Sequence, residues 1–253
     1  MKNIYTRGSS YDGISDWYEQ WCLGDENFIP SKQFYCSFLK QYEGPFLEVG
    51  IGTGRIAMSI IEQQKARVVG IDVSDNMLQI CRLKYQKLVD SGKAQGTLEL
   101  EHCDMTEIDW TDKFQVIYIP FRTIGHCMSD EDLHKVFSKC YAALQKTGLL
   151  VFDHYVFQKE WALQHDRVNI PMYHDGQTDI ADYYEYNFED CKMNCFIKVN
   201  GEVVQNFPFR WLDPEHIRCM TADAGFSVER LMGNFDGISF DGDSFNQIWI
   251  LKK

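Results

Sequence analysis

The sequence lacks the features of a membrane-bound or exported chain. It contains no apolar run close to the roughly 20 residues that a membrane-spanning helix needs. Its first residues, Met1 to Ser10, hold no apolar stretch of the kind that forms the centre of a secretory signal. We therefore expect a cytoplasmic chain that does not bind a membrane.

Clusters of basic residues are absent as well. The chain has 25 Lys and Arg residues against 37 Asp and Glu residues, which gives a formal net charge of −12. Such a surface repels phosphate backbones, and no run of Lys and Arg offers a local exception. We expect a small-molecule substrate as the partner and no nucleic acid, and a homodimer is compatible with the sequence.

Paired cysteine motifs are missing too. Nine cysteines are scattered along the chain, and the closest two, Cys191 and Cys195, do not form a C-x-x-C pair. The odd count and irregular spacing favour free thiols in a reducing compartment. Adjacent Asp and His residues lack the ligand spacing of a metal site, so we predict no metal. These pairs are Asp153-His154, His165-Asp166 and His174-Asp175.

What the sequence does contain is a regular alternation of apolar runs and helical patterns. Continuous apolar strands separated by helices indicate a parallel sheet with helices on both faces, the arrangement of an α/β fold. The predicted strands are Pro45–Gly50, Arg67–Val73, Thr97–Cys103, Phe114–Pro120 and Leu149–His154. The predicted helices between them are Arg55–Glu62, Asp75–Val89 and Ser129–Leu144.

The pattern then changes to consecutive strands. Asn200-Gly201 separates two of them, and this dipeptide favours a tight hairpin because both turn positions need a positive φ. We predict a small antiparallel β insertion after the fifth strand, made of Asp179–Phe188, Met193–Asn200 and Glu202–Trp211. The α/β pattern resumes at Asp213-Pro214, where Asp suits a helix N-cap and Pro the first turn. Two closing strands follow, Phe226–Leu231 and Phe245–Leu251.

This reading divides a single domain, residues 1–253, into four parts. We expect a helical cap over 1–43, a ligand-binding core over 44–154, and the antiparallel insertion over 170–212 as a substrate lid or dimer face. A helix and closing strands occupy 213–253.

The sharpest local feature is the loop Glu48-Val49-Gly50-Ile51-Gly52-Thr53-Gly54-Arg55, which follows a strand and opens a helix. Its glycines allow close approach of a ligand, and Asp72 ends the next strand, where a carboxylate can bind both ribose hydroxyls. A dinucleotide loop requires Gly or Ala where Arg55 stands. Glu48 would also lie badly beside a pyrophosphate but well beside an ammonium group.

These residues resemble the class I S-adenosylmethionine-dependent methyltransferases. The resemblance covers roughly Tyr11 to His154, and its four segments fall in the family's order. It implies a Rossmann-like, seven-stranded sheet whose last strand runs antiparallel, and S-adenosylmethionine as the cofactor. The segments are Phe46 to Ile56, Val69 to Leu78, His102 to Met105, and Phe114 to Phe121.

The resemblance also implies cofactor contacts by position. Gly50 and Gly52 would line the methionine portion, with Glu48 beside them. Asp72 would hold the ribose. Val73 and Met77 would contact the adenine, Asp104 would accept from its amino group, and the Met105 backbone N–H would meet a ring nitrogen. Pro120, at the end of the fourth strand, would also contact the cofactor.

A closer resemblance is to small-molecule N- and O-methyltransferases, including those that dimethylate amino sugars. It rests on Phe121-Arg122-Thr123-Ile124-Gly125-His126, on Tyr11-Asp12 and Trp17-Tyr18-Glu19, and on the antiparallel insertion. It implies that Tyr18, and less directly Tyr11, cap the cofactor. Arg122 replaces the small polar residue of that group. Phe121 and Arg122 would contact the substrate. Arg122 would bind a carboxylate or phosphate group of that substrate, or else form an ion pair at the protein surface.

Two histidines are candidate general bases. His126 follows the fourth strand, at the sheet edge where ligands bind in α/β folds, and could otherwise cap the next helix. His154 ends the fifth strand, where a structural role is equally plausible. We predict that His126→Ala lowers turnover at least tenfold and leaves cofactor affinity nearly intact. Arg55 is assigned to the helix surface without a role.

Two other functions remain open at this point. One is a nicotinamide-dependent oxidoreductase on a related sheet, against which Arg55 and the lack of a Tyr-x-x-x-Lys pair argue. The other is a non-catalytic regulatory protein that binds S-adenosylmethionine. The favoured function is transfer of a methyl group to N or O of a small metabolite of acidic or aromatic character.

Overall fold

The structure is a computed structural model that describes residues 11–253. Two helices, α1 (Tyr18–Cys22) and α2 (Phe28–Leu39), precede the first strand. The α/β part comprises β1 (Phe46–Val49), α3 (Arg55–Gln63), β2 (Arg67–Asp72), α4 (Asp75–Asp90), β3 (Thr97–His102), β4 (Phe114–Ile119), α5 (Asp130–Ala143) and β5 (Leu144–Tyr155). Then come α6 (Lys159–His165), the strands β6 (Asn169–His174), β7 (Asp179–Asn187), β8 (Lys192–Val199) and β9 (Glu202–Arg210), and finally α7 (Pro214–Asp223), β10 (Ser227–Met232) and β11 (Asn246–Lys252).

The main sheet has seven strands in the order β10-β11-β5-β4-β1-β2-β3. Strands β1 to β5 pair in parallel, whereas β11 runs antiparallel to both of its neighbours. The expected seven-stranded sheet with an antiparallel last strand is therefore confirmed. Both faces of its central strands are buried: Leu47 and Ile117 belong to one apolar cluster, and Phe46 and Val116 belong to another.

The turn after β1 depends on glycine. Gly50, Gly52 and Gly54 have φ values of 70°, 54° and 80°, which side chains with a Cβ rarely adopt. The N–H groups of Gly50 and Ile51 both donate to the carbonyl of Ile71, each at 2.9 Å. These bonds attach the glycine loop to the end of β2, so the first two of the four family segments meet there.

The insertion forms a separate four-stranded antiparallel sheet in the order β6-β7-β8-β9. Asn200 and Gly201 have φ values of 51° and 86°, which confirms the predicted hairpin. Strand β6 and helix α6 were not predicted. Pro171 obscures β6 because proline is tolerated only at sheet edges, and β6 lies at the edge, with a register shift between Pro171 and Tyr173.

The last α/β segment begins as the sequence indicates. The Asp213 side chain accepts from the N–H groups of Glu215 and His216, at 2.8 and 3.4 Å, and Pro214 occupies the first turn of α7. Within residues 11–253, none of the helices combines the length and apolar character needed to cross a bilayer.

Candidate active site

A pocket lies where the carboxyl ends of the central strands meet the helical cap and the insertion. Parallel strands place the loops that follow them at one sheet edge, so residues distant in sequence converge there. The core contributes Gly50, Gly52, Asp72, Val73, Met77, Asp104, Met105, Phe121, Arg122 and His126 to the lining. The cap contributes Tyr11, Tyr18, Trp21 and Asp25, and the insertion contributes Asp182, Tyr184, Cys195, Phe207 and Phe209 among others.

Asp72 closes β2 at the floor of this pocket. One carboxylate oxygen accepts from the Gly52 N–H at 2.8 Å and the other from the Ser74 N–H at 2.9 Å. Burial raises the pKa of Asp72, and these hydrogen bonds oppose that rise. A carboxylate has about four acceptor sites, so two remain for a ligand's hydroxyl groups.

Gly52 faces open space beside Asp72. A Cβ built on it would meet no heavy atom within 4 Å, whereas one on Gly50 would lie 2.5 Å from Cγ2 of Thr123. The space next to Gly52 is therefore room for a ligand, and the Gly50 position is closed by the loop after β4. The space lies beside Asp72, the residue predicted to hold the ribose.

Asp104 lies on the other side of the pocket, after β3. Its Oδ1 accepts from the Thr106 N–H at 2.8 Å and from the Thr106 hydroxyl at 2.7 Å. These two bonds fix the carboxylate and leave acceptor sites free for a ligand amino group. Val73, Met77 and Met105, the residues predicted to contact the adenine, also line the pocket.

Glu48 and Pro120 do not line the pocket, which corrects two expectations. Glu48 is 2% exposed, and its Oε2 accepts from the Tyr118 hydroxyl at 2.9 Å beneath the glycine loop. Pro120 is buried behind the loop after β4, where its carbonyl accepts from the Thr123 hydroxyl at 2.7 Å. Both residues support the pocket from behind.

Burial gives Glu48 a measurable effect on stability. It raises the pKa of this carboxyl to about 8, well above the ordinary value of about 4.3. A raised folded-state pKa means that the folded chain binds the proton more tightly than the unfolded chain. The stability that Glu48 contributes is thus complete below about pH 4 and is lost as the pH rises toward 8.

We predict that Glu48→Gln removes part of this pH dependence. Between pH 5 and pH 8, the free energy of unfolding should fall by at least about 1 kcal/mol more in the unsubstituted chain than in the variant. Urea unfolding at both pH values measures this difference. Glu43→Gln, at an exposed carboxylate, is the matched control and should follow the parent chain. Equal slopes for all three proteins would contradict the prediction.

His126 lines the pocket and contacts Tyr11. The Tyr11 hydroxyl lies 2.9 Å from Nε2 of His126, and the ring also hydrogen-bonds to the backbone of Pro208. Because Pro208 has no N–H, that partner is its carbonyl, and the imidazole donates to it. Burial lowers the pKa of His126 to about 4, so the ring is neutral at pH 7. We assign the Tyr11 hydroxyl as the donor to Nε2.

His154 lies outside the pocket lining, which does not fit a role as a base. It is fully buried, its Nε2 accepts from the Leu212 N–H at 3.2 Å, and its ring stacks on Phe209 at 5.7 Å. Burial lowers its pKa to about 3. Its position indicates that it joins the main sheet to the segment after the insertion, so the structural alternative is the better interpretation.

Arg122 lines the pocket, but Asp25 already balances its charge. The two side chains form an ion pair in which they are 25% and 15% exposed. Arg122 and Phe121 both adopt a left-handed backbone conformation, and the Asp153 carboxylate accepts from their N–H groups at 3.1 and 2.8 Å. This ion pair belongs to the pocket wall and not to the surface.

Arg55 connects the core to the cap, contrary to its assignment as a surface residue. One guanidinium nitrogen donates to the Phe28 carbonyl at 2.5 Å and another to the Ser31 hydroxyl at 3.2 Å. The guanidinium also lies 4.6 Å from the centre of the Phe28 ring. Arg55 therefore holds the start of α2 against the helix that follows the glycine loop.

The cap is fastened to the core on both sides of the pocket. The Ser74 hydroxyl, which also caps α4, donates to Asp12 at 2.5 Å. Glu19 accepts from the Thr53 hydroxyl at 3.0 Å and pairs with Lys84. These contacts hold Tyr11 and Tyr18 over the pocket, where their rings make an edge contact at 6.0 Å.

Asp182 is the main pocket residue that the sequence did not reveal. It lies on β7, is 1% exposed, and accepts from Trp21 and Tyr184. The available signal was its position: strand alternation places residue 182 on the same face as Ile180, which is buried in the aromatic cluster of the insertion. A carboxylate at such a position is unusual and favours a function.

Among residues 11–253, no group of three or more His, Cys, Asp or Glu side chains is arranged to hold a metal ion.

The central part of this chain is similar in sequence to known proteins. Residues 46–148 match the family described as "Methyltransferase domain". A putative methyltransferase from Geobacillus sp. (strain WCH70) is 28% identical over 148 residues, which cover 57% of this chain and 57% of that protein. The chain thus spans little more than half the length of this curated relative.

Solved structures match nearly the whole fold. The CcbJ methyltransferase from Streptomyces caelestis has a TM-score of 0.82 over 98% of both chains, at 16% identity. CalS10 from Micromonospora echinaspora, an amino pentose methyltransferase with SAM bound, has a TM-score of 0.65 at 14% identity and covers 100% of this chain and 99% of its own. At these identities the likeness shows the fold alone.

Proposed function

We propose that this chain, whose residues 46–148 form a methyltransferase domain with the class I fold, uses S-adenosylmethionine to methylate N or O of a small molecule. The observation that carries the proposal is the convergence of three features in one pocket. Gly52 opens onto free space, Asp72 presents acceptor sites beside it, and Asp104 does so opposite. These acceptor sites suit the ribose hydroxyls and the adenine amino group of an adenosyl cofactor.

Enclosure of the pocket supports a small acceptor. The cap covers it with Tyr11, Tyr18 and Trp21, and the insertion covers it with Tyr184 and Phe207. A polymer would have to enter between these two covers, whereas a small molecule fits beneath them. The sugar and amino-sugar methyltransferases among the structural neighbours are consistent with this class of acceptor.

The bound cofactor supplies an already activated methyl group on a sulfonium. The residues of the chain then have to place a nucleophile behind it and exclude water, and such orientation can be worth roughly 7–11 kcal/mol. Aromatic rings from the cap and the insertion cover the pocket. The neutral His126 ring accepts from the Tyr11 hydroxyl through Nε2, so it can receive a proton that Tyr11 passes on from the acceptor, a contribution of roughly 10²–10⁴-fold in such reactions.

We expect calorimetric titration to show one site for S-adenosylmethionine and one for S-adenosylhomocysteine, and no binding of NAD⁺ or NADH. The reason is the glycine loop, in which Arg55 stands where a dinucleotide loop requires Gly or Ala. Dinucleotide binding without S-adenosylmethionine binding would instead support the oxidoreductase alternative. Cofactor binding with no methyl transfer in a metabolite screen with labelled donor would support the non-catalytic alternative.

A further inference from the structure

Asp182 brings a negative charge into the part of the pocket formed by the insertion and the cap. Its Oδ1 accepts from Nε1 of Trp21 at 2.7 Å, and its Oδ2 accepts from the Tyr184 hydroxyl at 2.6 Å. Each oxygen therefore keeps about one further acceptor site. Both donors are neutral, so they orient the carboxylate and do not cancel its charge.

No cation in the described part of the chain pairs with Asp182. Arg122 is the permanent cation among the described pocket-lining residues, and its charge is taken by Asp25. Asp25 is also the charged group that acts on Asp182, and it does so as a like charge. An isolated buried carboxylate is costly, and burial raises the pKa of Asp182 to about 6, which still leaves it ionised at neutral pH.

A second polar atom in the same region has no partner. Among residues 11–253, the buried hydroxyl of Tyr155 makes no hydrogen bond, although Tyr155 lines the pocket. Buried polar atoms are normally hydrogen-bonded, so an orphaned one in a pocket wall points to a ligand group. Tyr155, Cys195 and Asp182 all line this pocket.

We propose that Asp182 selects methyl acceptors that carry a positively charged nitrogen, with the Tyr155 hydroxyl as a hydrogen-bonding partner of the same molecule. This inference rests on the proposed function, because the acceptor lies beside the cofactor in the same pocket. The charge of the ligand compensates the buried carboxylate. It reverses the expectation that Arg122 binds an acidic acceptor, since that arginine is already paired.

The test uses three simple probes that differ in charge. The protein is first saturated with S-adenosylhomocysteine, and benzylamine, benzyl alcohol and benzoate are then titrated separately at pH 7.5 by calorimetry. Benzylamine, a cation at this pH, should bind at least tenfold more tightly than benzyl alcohol, and benzoate more weakly than both. Equal affinity for amine and alcohol, or no binding of benzylamine to the loaded protein, would overturn the proposal.

Substitution assigns the preference to Asp182. Asp182→Asn should bring benzylamine and benzyl alcohol to within about twofold of each other, whereas Asp190→Asn, at an exposed carboxylate in the turn between β7 and β8, should keep the full preference. Tyr184→Phe removes a donor but leaves the charge, so the preference should persist. If circular dichroism shows that Asp182→Asn does not fold, the Tyr184→Phe variant decides the question. Loss of the preference in Tyr184→Phe would overturn the inference.

The cofactor provides the remaining control. If Asp182→Asn weakens binding of S-adenosylmethionine more than tenfold and leaves S-adenosylhomocysteine unaffected, then Asp182 compensates the sulfonium and not the acceptor, which would overturn the inference. If the unsubstituted chain binds neither molecule, the proposed function itself fails. The two failures are therefore distinguishable before any acceptor is known.

Discussion

Replacing Asp72 with alanine should weaken binding of S-adenosylmethionine by at least about 100-fold, which corresponds to about 2.7 kcal/mol. Hydrogen bonds to a charged group contribute roughly 1.5–3 kcal/mol each, and the carboxylate has acceptor sites for two ribose hydroxyls. The substitution also removes the bonds that hold the Gly52 and Ser74 N–H groups, so the glycine loop loses an anchor. Calorimetric titration with S-adenosylmethionine and S-adenosylhomocysteine should show the same loss for both, because they share the ribose.

A matched control separates this contact from a general effect of charge. Asp75 lies three positions further on, exposed in the first turn of α4, and Asp75→Ala should change the affinity by less than about twofold. Thermal unfolding without ligand checks that Asp72→Ala still folds. An unchanged affinity in a folded Asp72→Ala protein would mean that the carboxylate does not hold the ribose, and the cofactor assignment would fail with it.

The cofactor half of the pocket was predictable because its determinants are local. A strand, a glycine-rich turn and a helix start follow one another directly, and a parallel sheet brings the ends of β1, β2 and β3 to one edge whatever the rest of the chain does. Gly50, Gly52, Asp72 and Asp104 therefore line the pocket as expected. The position of Glu48 did not follow from these local patterns. The alternation of side chains along β1 turns its carboxylate away from the pocket and toward Tyr118.

The acceptor half depends on tertiary pairing that no local pattern contains. Whether Arg122 is free for a ligand depends on Asp25, nearly a hundred residues away in the helical cap, and Arg55 likewise finds its partners in α2. The role of Asp182 depends on the register of the insertion, because a shift by one residue would turn it to the other face. His126 and His154 both end near the sheet edge, but only the former emerges into the pocket.

These contacts give the two sheets different roles. The main sheet supplies backbone geometry and carboxylates for a constant cofactor, and it is rigid because both faces are buried. The cap and the four-stranded insertion supply aromatic rings, Asp182 and Tyr155, which are side-chain features that can change without disturbing the cofactor loop. Selectivity for the acceptor is therefore expected to follow the insertion, and cofactor affinity to follow β1 to β3.

His126→Ala should lower kcat by roughly 100-fold and change the Kd of S-adenosylmethionine by less than about twofold. A general base contributes roughly 10²–10⁴-fold to the rate. His126 hydrogen-bonds to Tyr11 and not to the glycine loop, so its removal should leave cofactor binding nearly unchanged. Turnover would be measured with labelled S-adenosylmethionine and whichever amine or phenol the acceptor screen identifies. Because the ring has a pKa of about 4, it stays neutral and able to accept a proton as the pH falls through 6.5, the region where an ordinary histidine would become charged.

Three variants separate base catalysis from packing. Tyr11→Phe keeps the rings but removes the hydroxyl that bonds to Nε2, so it should share most of the loss in kcat if the proton passes through this pair. His126→Asn keeps a polar side chain without a basic nitrogen and should be as slow as alanine, whereas an asparagine that restores turnover would show that His126 only positions Tyr11. His134→Ala, at an exposed histidine on α5, should leave both constants unchanged. A normal kcat in His126→Ala would return the residue to a packing role against Phe207 and Phe209, whose rings lie 5.4 and 5.2 Å away.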